Sequence, residues 1–241
     1  MRRFFIDRPV SAGMAHTING PDARHITHVL RMKQGDEIAM FDGNGYTLKA
    51  RIDMLSPKRV AVTITDVRPC ETESPIHITI GQALLKDKKM DGLIRQLTEL
   101  GMNEWLPFTA ERSIPDPGRM RVHTRIERWQ TIARESLKQC ERGVLPQIHG
   151  PVAFDDVLSS IDNYDLGIIF TDKSAPGLEK IKPSISRVLI LIGPEGGFTN
   201  DEIEQARSRG FVTAGMGPRI LKADTAAVAA STLVQHLFGD M

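Results

Sequence analysis

Two runs, Leu166-Gly167-Ile168-Ile169-Phe170 and Val188-Leu189-Ile190-Leu191-Ile192, contain no polar side chain. A strand with one solvated face alternates apolar and polar residues. Unbroken apolar runs are what strands buried on both faces require. They predict a mainly parallel sheet with helices packed on both sides. Residues 76–84, 105–108 and 211–214 read as further strands. Met90, Leu93, Ile94, Leu97 and Leu100 keep helical spacing and stop at Gly101; Ile126, Trp129, Ala133, Leu137 and Cys140 mark a long second helix. Thr199-Asn200-Asp201-Glu202 has capping-box spacing and opens a helix to about Arg209. Residues 223–238 form a last helix rich in Ala, Val and Leu. The predicted class is α/β.

The first 70 residues follow another pattern. Residues 2–6, 37–41, 46–52 and 59–67 carry β-branched and aromatic residues and are punctuated by Gly35-Asp36, Asp42-Gly43-Asn44-Gly45 and Ser56-Pro57. One helix, about residues 22–31, places Ile26, Val29 and Leu30 on one face. Short strands with tight turns predict a small β-barrel. Pro69-Cys70-Glu71-Thr72-Glu73-Ser74-Pro75 has the composition of a linker. The predicted domains are therefore residues 1–70 and residues 71–241.

The formal net charge of +1 conceals an asymmetry. Residues 1–68 hold 11 Lys and Arg against 7 Asp and Glu, a surplus of four positive charges. The remainder holds 20 against 23. A basic lobe on a mildly acidic body suggests an anionic partner, or a solvated surface with chance imbalance. Cys70 and Cys140 are far apart and form no CxxC, which argues against a disulfide framework and a zinc site and fits a reducing cytoplasm. A secretory signal is not expected, because Asp7-Arg8-Pro9 and no apolar run follow the basic Met1-Arg2-Arg3-Phe4-Phe5, and no apolar stretch approaches about 18 residues. His25 and His28 lack a carboxylate or cysteine cluster, so no metal is expected.

Two loops carry the chemistry. In the first, the apolar run ending at Ile192 passes into Gly193-Pro194-Glu195-Gly196-Gly197 and then the capped helix. Ligands bind at the carboxyl ends of strands in open α/β sheets, and glycines let the backbone approach them closely. A plain tight turn with a surface Glu195 fits the same residues. The order lacks both GxGxxG and the GK[ST] of a phosphate loop, so ring and ribose contacts are favoured over a phosphate grip. The second loop is Gly215-Met216-Gly217-Pro218-Arg219-Ile220-Leu221-Lys222-Ala223-Asp224. Ile220 and Leu221 are apolar residues suited to flank a flat base or to plug the core. Asp224 suits either the site or a helix N-cap.

The pair IGPEGGFT at residues 192–199 and MGPRILKADTA at residues 216–226 resembles the RsmE family. These are SPOUT-class methyltransferases that act on N3 of a uridine in small-subunit (16S) ribosomal RNA. The resemblance spans nearly the whole chain. Met1-Arg2-Arg3-Phe4-Phe5 and Arg24-His25-Ile26-Thr27-His28-Val29-Leu30-Arg31 are similar to the family's PUA-like RNA-binding barrel. Lys86-Asp87-Lys88-Lys89-Met90-Asp91, Thr98-Glu99-Leu100-Gly101 and Glu111-Arg112-Ser113 are similar to its first catalytic-domain motifs. Lys222 stands where the family usually has a second arginine, and Asp224 where an acid one carbon longer is usual.

The resemblance implies a trefoil knot near the C-terminus, S-adenosylmethionine (SAM) as methyl donor, and a homodimer. It points to Thr171, Ile192, Gly193, Glu195, Gly196, Gly197, Met216, Gly217, Ile220 and Leu221 as the SAM site. Uridine N3 is a poor nucleophile until its proton leaves. Catalysis therefore needs a cation for the developing charge, for which Arg219 is the candidate, and a base, for which Glu195 and Asp224 are candidates. Arg2, Arg3, Arg24, His25, Arg31 and Lys33 suit RNA phosphates, as do seven Lys and Arg against three Glu in residues 119–142. The alternatives are a SPOUT enzyme acting on transfer RNA or a ribose 2′-hydroxyl, and a non-catalytic RNA-binding assembly factor.

Overall fold

The computed structural model describes residues 3–86, 89–113, 119–171, 178 and 185–241, with only the backbone of residues 119–121. The chain divides into two units. One comprises Met1–Glu73 with Arg134–Leu145, the other Ser74–Ala133 with Pro146–Met241.

The first unit contains β1 (Arg3–Phe5), β2 (Ala15–Asn19), α1 (Gly20–Arg24), β3 (Glu37–Phe41), β4 (Tyr46–Ser56) and β5 (Arg59–Pro69). Its sheet has the order β1-β3-β4-β5-β2, with β1 parallel to β3 and every other pair antiparallel. Register shifts between Lys49 and Ala50 and between Ile52 and Met54 mark irregularities that bend β4 along β5. All five strands feed one core, which includes Phe4, Ile18, Ile38, Ile52 and Val62. The expected helix over residues 22–31 is instead the five-residue α1 followed by a π-helical turn, His25–Val29. The wider π turn changes which residues share a face. Ile26 is buried, but Val29 is 65% and Leu30 38% exposed, so the three do not pack together. Arg31 then takes φ 53°, the left-handed region that few non-glycine residues enter.

Glu73 ties the segment after Cys140 into this unit. Its Oε2 accepts from Arg142 Nη2 at 2.8 Å and Nε at 3.1 Å, and its Oε1 from the backbone of Gly143 at 2.7 Å and Val144 at 3.0 Å. Arg142 is 3% exposed. Arg3 is 6% exposed, lies 4.9 Å over the Phe41 ring and donates to the Arg142 carbonyl at 3.1 Å. Arg3 is therefore buried within the fold and not displayed for the RNA phosphate contact expected of it. Arg2 lies outside the described residues.

The second unit contains β6 (His77–Ala83), α2 (Lys89–Glu99), β7 (Met102–Thr109), the long α3 (Arg119–Cys140), β8 (Gln147–Ile148), β9 (Val152–Ala153), α4 (Phe154–Ser159), β10 (Leu166–Phe170), β11 (Arg187–Ile192), α5 (Asn200–Ser208), β12 (Val212–Ala214) and α6 (Ala223–Phe238). The sheet order is β12-β10-β11-β6-β7-β8, with β9 also on β7, and every pair is parallel. β10 is buried at all five residues and β11 at all but its first, as the apolar runs require. Gly81 lets β6 approach β11: a Cβ there would lie 2.5 Å from Leu191 Cδ2. Trp105 and Trp129 meet edge to face at 6.2 Å, and Trp129 Nε1 donates to Asp91 at 3.1 Å.

The basic face expected of α3 is largely engaged by protein. Arg128 pairs with Asp91, Arg134 lies 4.5 Å over the Phe5 ring, and Lys138 pairs with Asp22 at 3.1 Å.

A polar cluster sits at the amino ends of the parallel strands. Glu104 accepts from His149 at 3.2 Å and pairs with His77 at 3.3 Å and Arg187 at 3.8 Å. The His149 hydrogen bond holds the Glu104 carboxyl below its ordinary value against the opposing effect of burial. Burial lowers His77, only partly offset by Glu104. Both folded pKa values lie below the unfolded ones. Stability from Glu104 is therefore complete above its ordinary value of 4.5 and falls as pH drops through the folded one; His77 acts the same way below 6.5. Glu104→Gln is expected to shallow the acid limb of a stability–pH curve measured by urea denaturation. An unaltered limb would refute this assignment.

Candidate functional site

A cavity of about 260 Å³ opens at the carboxyl ends of β10, β11 and β12. Its walls are the two glycine-bearing loops. Thr171, Ile192, Gly193, Glu195, Gly196, Gly197, Met216, Gly217, Ile220 and Leu221 all line it, and so does Arg219. Asp224 does not. It lies in the first turn of α6, with Oδ1 buried and without a hydrogen bond among the described residues. Nor is it the helix cap: Lys222 occupies the N-cap position, in extended backbone and without a side-chain bond. The helix starts two residues earlier than an Asp224 cap requires.

The first loop is held from both ends. Gln82, fully buried at the end of β6, donates from Nε2 to Ala83 O at 3.0 Å, Gly193 O at 3.3 Å and Ile192 O at 3.4 Å. It satisfies carbonyls that the strand ladder no longer reaches. Beyond the glycines, Thr199 caps α5 reciprocally with Glu202: Thr199 Oγ1 accepts from Glu202 N at 3.2 Å, and Glu202 Oε2 accepts from Thr199 N at 2.8 Å. Gly197 has φ 68°, where a side chain would strain the turn. Gly193 lies under Phe198, whose ring is 3.1 Å from an added Cβ. In the second loop Gly217 has φ 92°.

Glu195 is engaged by Lys86 before α2 and by Lys89 at its first position. Its Oε1 accepts from Lys89 Nζ at 3.0 Å and Lys86 N at 3.3 Å. Desolvation is the largest single influence on this carboxyl and raises its pKa. The hydrogen bonds from Lys89, its own backbone and Lys86 together outweigh that and lower it. Glu195 is thus held as an ion-paired carboxylate, a weaker base than a free one. Asp87 and Lys88 of the same motif lie outside the described residues.

Apolar surface from Phe170, Ile192, Phe198, Ile203 and Leu221 faces polar backbone and two guanidiniums. Such a lining takes a flat aromatic ring with polar ends. Ile220 lines it while remaining 78% exposed. Sequence reading missed Arg112, Phe198 and Gln82. Arg112 stood in a noted motif without a role, and Phe198 stood inside the first loop. Gln82 gave no signal, because its role rests on a contact 110 residues away. Among the described residues no group of three His, Cys, Asp or Glu is placed to hold a metal ion.

A family profile described as an RNA methyltransferase domain matches residues 72–235, and one described as an RNA methyltransferase PUA domain matches residues 18–65. Ribosomal RNA small subunit methyltransferase E of Buchnera aphidicola is 32% identical over 238 residues, which is 99% of this chain and 94% of that one. The crystal structure of a ribosomal RNA small subunit methyltransferase E from Neisseria gonorrhoeae bound to SAM aligns with a TM-score of 0.91 at 30% identity, over 100% of this chain and 99% of the other. A protein from Legionella pneumophila solved with bound SAM aligns with a TM-score of 0.90 at 28% identity, over 99% and 98%.

Proposed function

The chain belongs to the ribosomal RNA small subunit methyltransferase E family, and we propose that it methylates N3 of a uridine in 16S ribosomal RNA. It is an enzyme of the SPOUT class with a PUA-like N-terminal fold, and its methyl donor is SAM. The observation that carries the reading is one cavity into which both glycine-bearing loops converge. Its lining fits the donor: apolar side chains suit adenine, and glycines keep the wall thin enough for close backbone contact.

Bound there, SAM supplies an electrophilic methyl. The chain's own residues do the rest. Thr171 and the two loops position the donor at the strand ends. Arg219 presents a cation where uracil oxygens gain charge as N3 loses its proton. Glu195, ion-paired with Lys89, orders the first loop. Its lowered pKa makes it a poor proton acceptor. Asp224 sits in the first turn of α6 and outside the cavity lining, which does not favour it as the base. N3 is on the pairing edge, so the target uridine enters unpaired.

RNA affinity is assigned to the N-terminal residues, with catalysis in residues 71–241. Arg24, Arg31 and Lys33 are exposed and His25 half-buried around the π turn. Their phosphate contacts predict binding that weakens steeply with salt. The proposal includes a trefoil knot over the cofactor loops, supported by the strand order in which the chain passes from β11 beyond β10 to β12. It includes a homodimer, supported by Leu233 and Leu237 of the apolar α6, 37% and 38% exposed. A cytoplasmic location follows from the ribosomal substrate; no helix of the described residues is long and apolar enough to cross a membrane.

Purified enzyme, SAM and small ribosomal subunits lacking the modification are expected to yield one 3-methyluridine per subunit, read by mass spectrometry of nucleosides. A ribose-methylated product, or none, would refute the N3 assignment.

A further inference from the structure

The Glu111-Arg112-Ser113 turn follows β7 and is anchored to the base of the glycine loop. Ala110 N donates to Ser113 Oγ at 3.0 Å, and Glu111 N donates to Glu202 Oε1 at 2.8 Å. Glu202 is 6% exposed, and its other oxygen caps α5. The turn is thus fixed to the helix end that the first cofactor loop feeds. From it Arg112 reaches the cavity. Its Nη1 donates to Gly196 O at 3.0 Å, and a Cβ at Gly196 would stand 3.2 Å from Arg112 Cβ. Arg112 lines the cavity and is exposed.

A guanidinium has five N–H donors in a rigid fork, and Gly196 takes one. Glu195, the carboxylate on the same wall, is paired with Lys89. No ion pair is recorded for Arg112 or Arg219 among the described residues. Two cations on two different loops therefore face one cavity.

The chemistry of N3 calls for two. N3 lies between the C2 and C4 carbonyls, and when it loses its proton the charge spreads onto both oxygens. We propose that Arg112 donates to one uracil carbonyl oxygen as N3 ionises, with Arg219 serving the other. This rests on the N3 reading above. In the step, the N3–H bond breaks and its proton passes to water. The N3 lone pair then bonds to the methyl carbon, while the carbon–sulfur bond breaks and leaves its electron pair on sulfur. The two arginines hold charge on oxygen and exchange no atoms.

The test compares wild type, Arg112→Ala and Arg112→Lys as full-length enzyme on unmethylated small ribosomal subunits at saturating SAM. SAM affinity is measured separately by calorimetry. Arg112→Ala is expected to lower kcat by about 100-fold at neutral pH, with the SAM Kd within about threefold. Its rate should keep rising at pH values where wild type has levelled off, because N3 ionises less readily. Arg112→Lys keeps the charge without the fork and should recover part of kcat. A raised KM for subunits with kcat intact would overturn the proposal in favour of a phosphate anchor. A raised SAM Kd with kcat intact would overturn it in favour of a wall contact. A wild-type product other than 3-methyluridine would sink the parent reading, and it is read directly from the product.

Discussion

Replacing Arg219 by alanine is expected to cut kcat by about 10²- to 10³-fold while SAM affinity changes by no more than about threefold. The asymmetry follows from where Arg219 sits. It is exposed on the second loop and lines the cavity beside the apolar Ile220 and Leu221. Its side chain meets no carboxylate recorded among the described residues, so its removal leaves no buried charge behind. What is lost acts on the charge that appears as N3 ionises, and such charge is larger in the transition state than in the ground state. Arg219→Lys should fall between the two, since a point charge replaces a planar fork. A raised SAM Kd with unchanged kcat would move Arg219 from catalysis to cofactor binding.

Replacing Glu73 by alanine is expected to destabilise the N-terminal unit by about 3–5 kcal/mol. The carboxylate takes four hydrogen bonds, two from Arg142 and two from backbone N–H groups of Gly143 and Val144. Arg142 is 3% exposed, so Glu73→Ala removes a buried ion pair together with both backbone anchors of the segment after it. Glu73→Gln keeps an acceptor and should cost less. Chemical denaturation followed by far-ultraviolet circular dichroism reads the difference. A loss below about 1 kcal/mol would mean that the pair behaves as an exposed one.

Glu73 also shows why part of the fold was illegible in the sequence. Pro69 to Pro75 has linker composition, yet Glu73 is the joint on which residues 142–144 are built. Linker composition reports low apolar content; it does not report a partner about 70 residues away. The same holds for the cluster around Glu104, assembled from His77, His149 and Arg187, which are far apart in sequence. Local patterns were read well where burial alone decides them. The apolar runs became β10 and β11, the capping box at Thr199 opened α5, and α6 spans Ala223–Phe238 as expected. β2 was missed because Ile18 alone among its residues is buried, so no alternation marks it. The helix over residues 22–31 was misdrawn because helical spacing assumes a 3.6-residue period, and the π turn abandons that period at His25.

The loops themselves were legible as glycine-bearing turns after strands. Their meeting in one cavity came from topology. β10 lies between β11 and β12, so the turns after β11 and β12 open at the same end of one parallel sheet. Arg112 joins from β7, two strands beyond β11 in the sheet, through Glu202. No spacing rule in the sequence connects those positions.

The account depends on those two loops forming a single SAM site. Isothermal titration of SAM into wild type, Gly197→Ala and Gly217→Ala tests it most directly. Both glycines have positive φ, at 68° and 92°, and nothing within 4 Å would obstruct a Cβ at either. The substitutions therefore act through backbone strain alone, about 1–2 kcal/mol each. Wild type is expected to bind one SAM per chain, and each variant is expected to bind about tenfold more weakly while keeping its thermal transition within a few degrees. Affinity lost in one variant and untouched in the other would contradict the shared cavity.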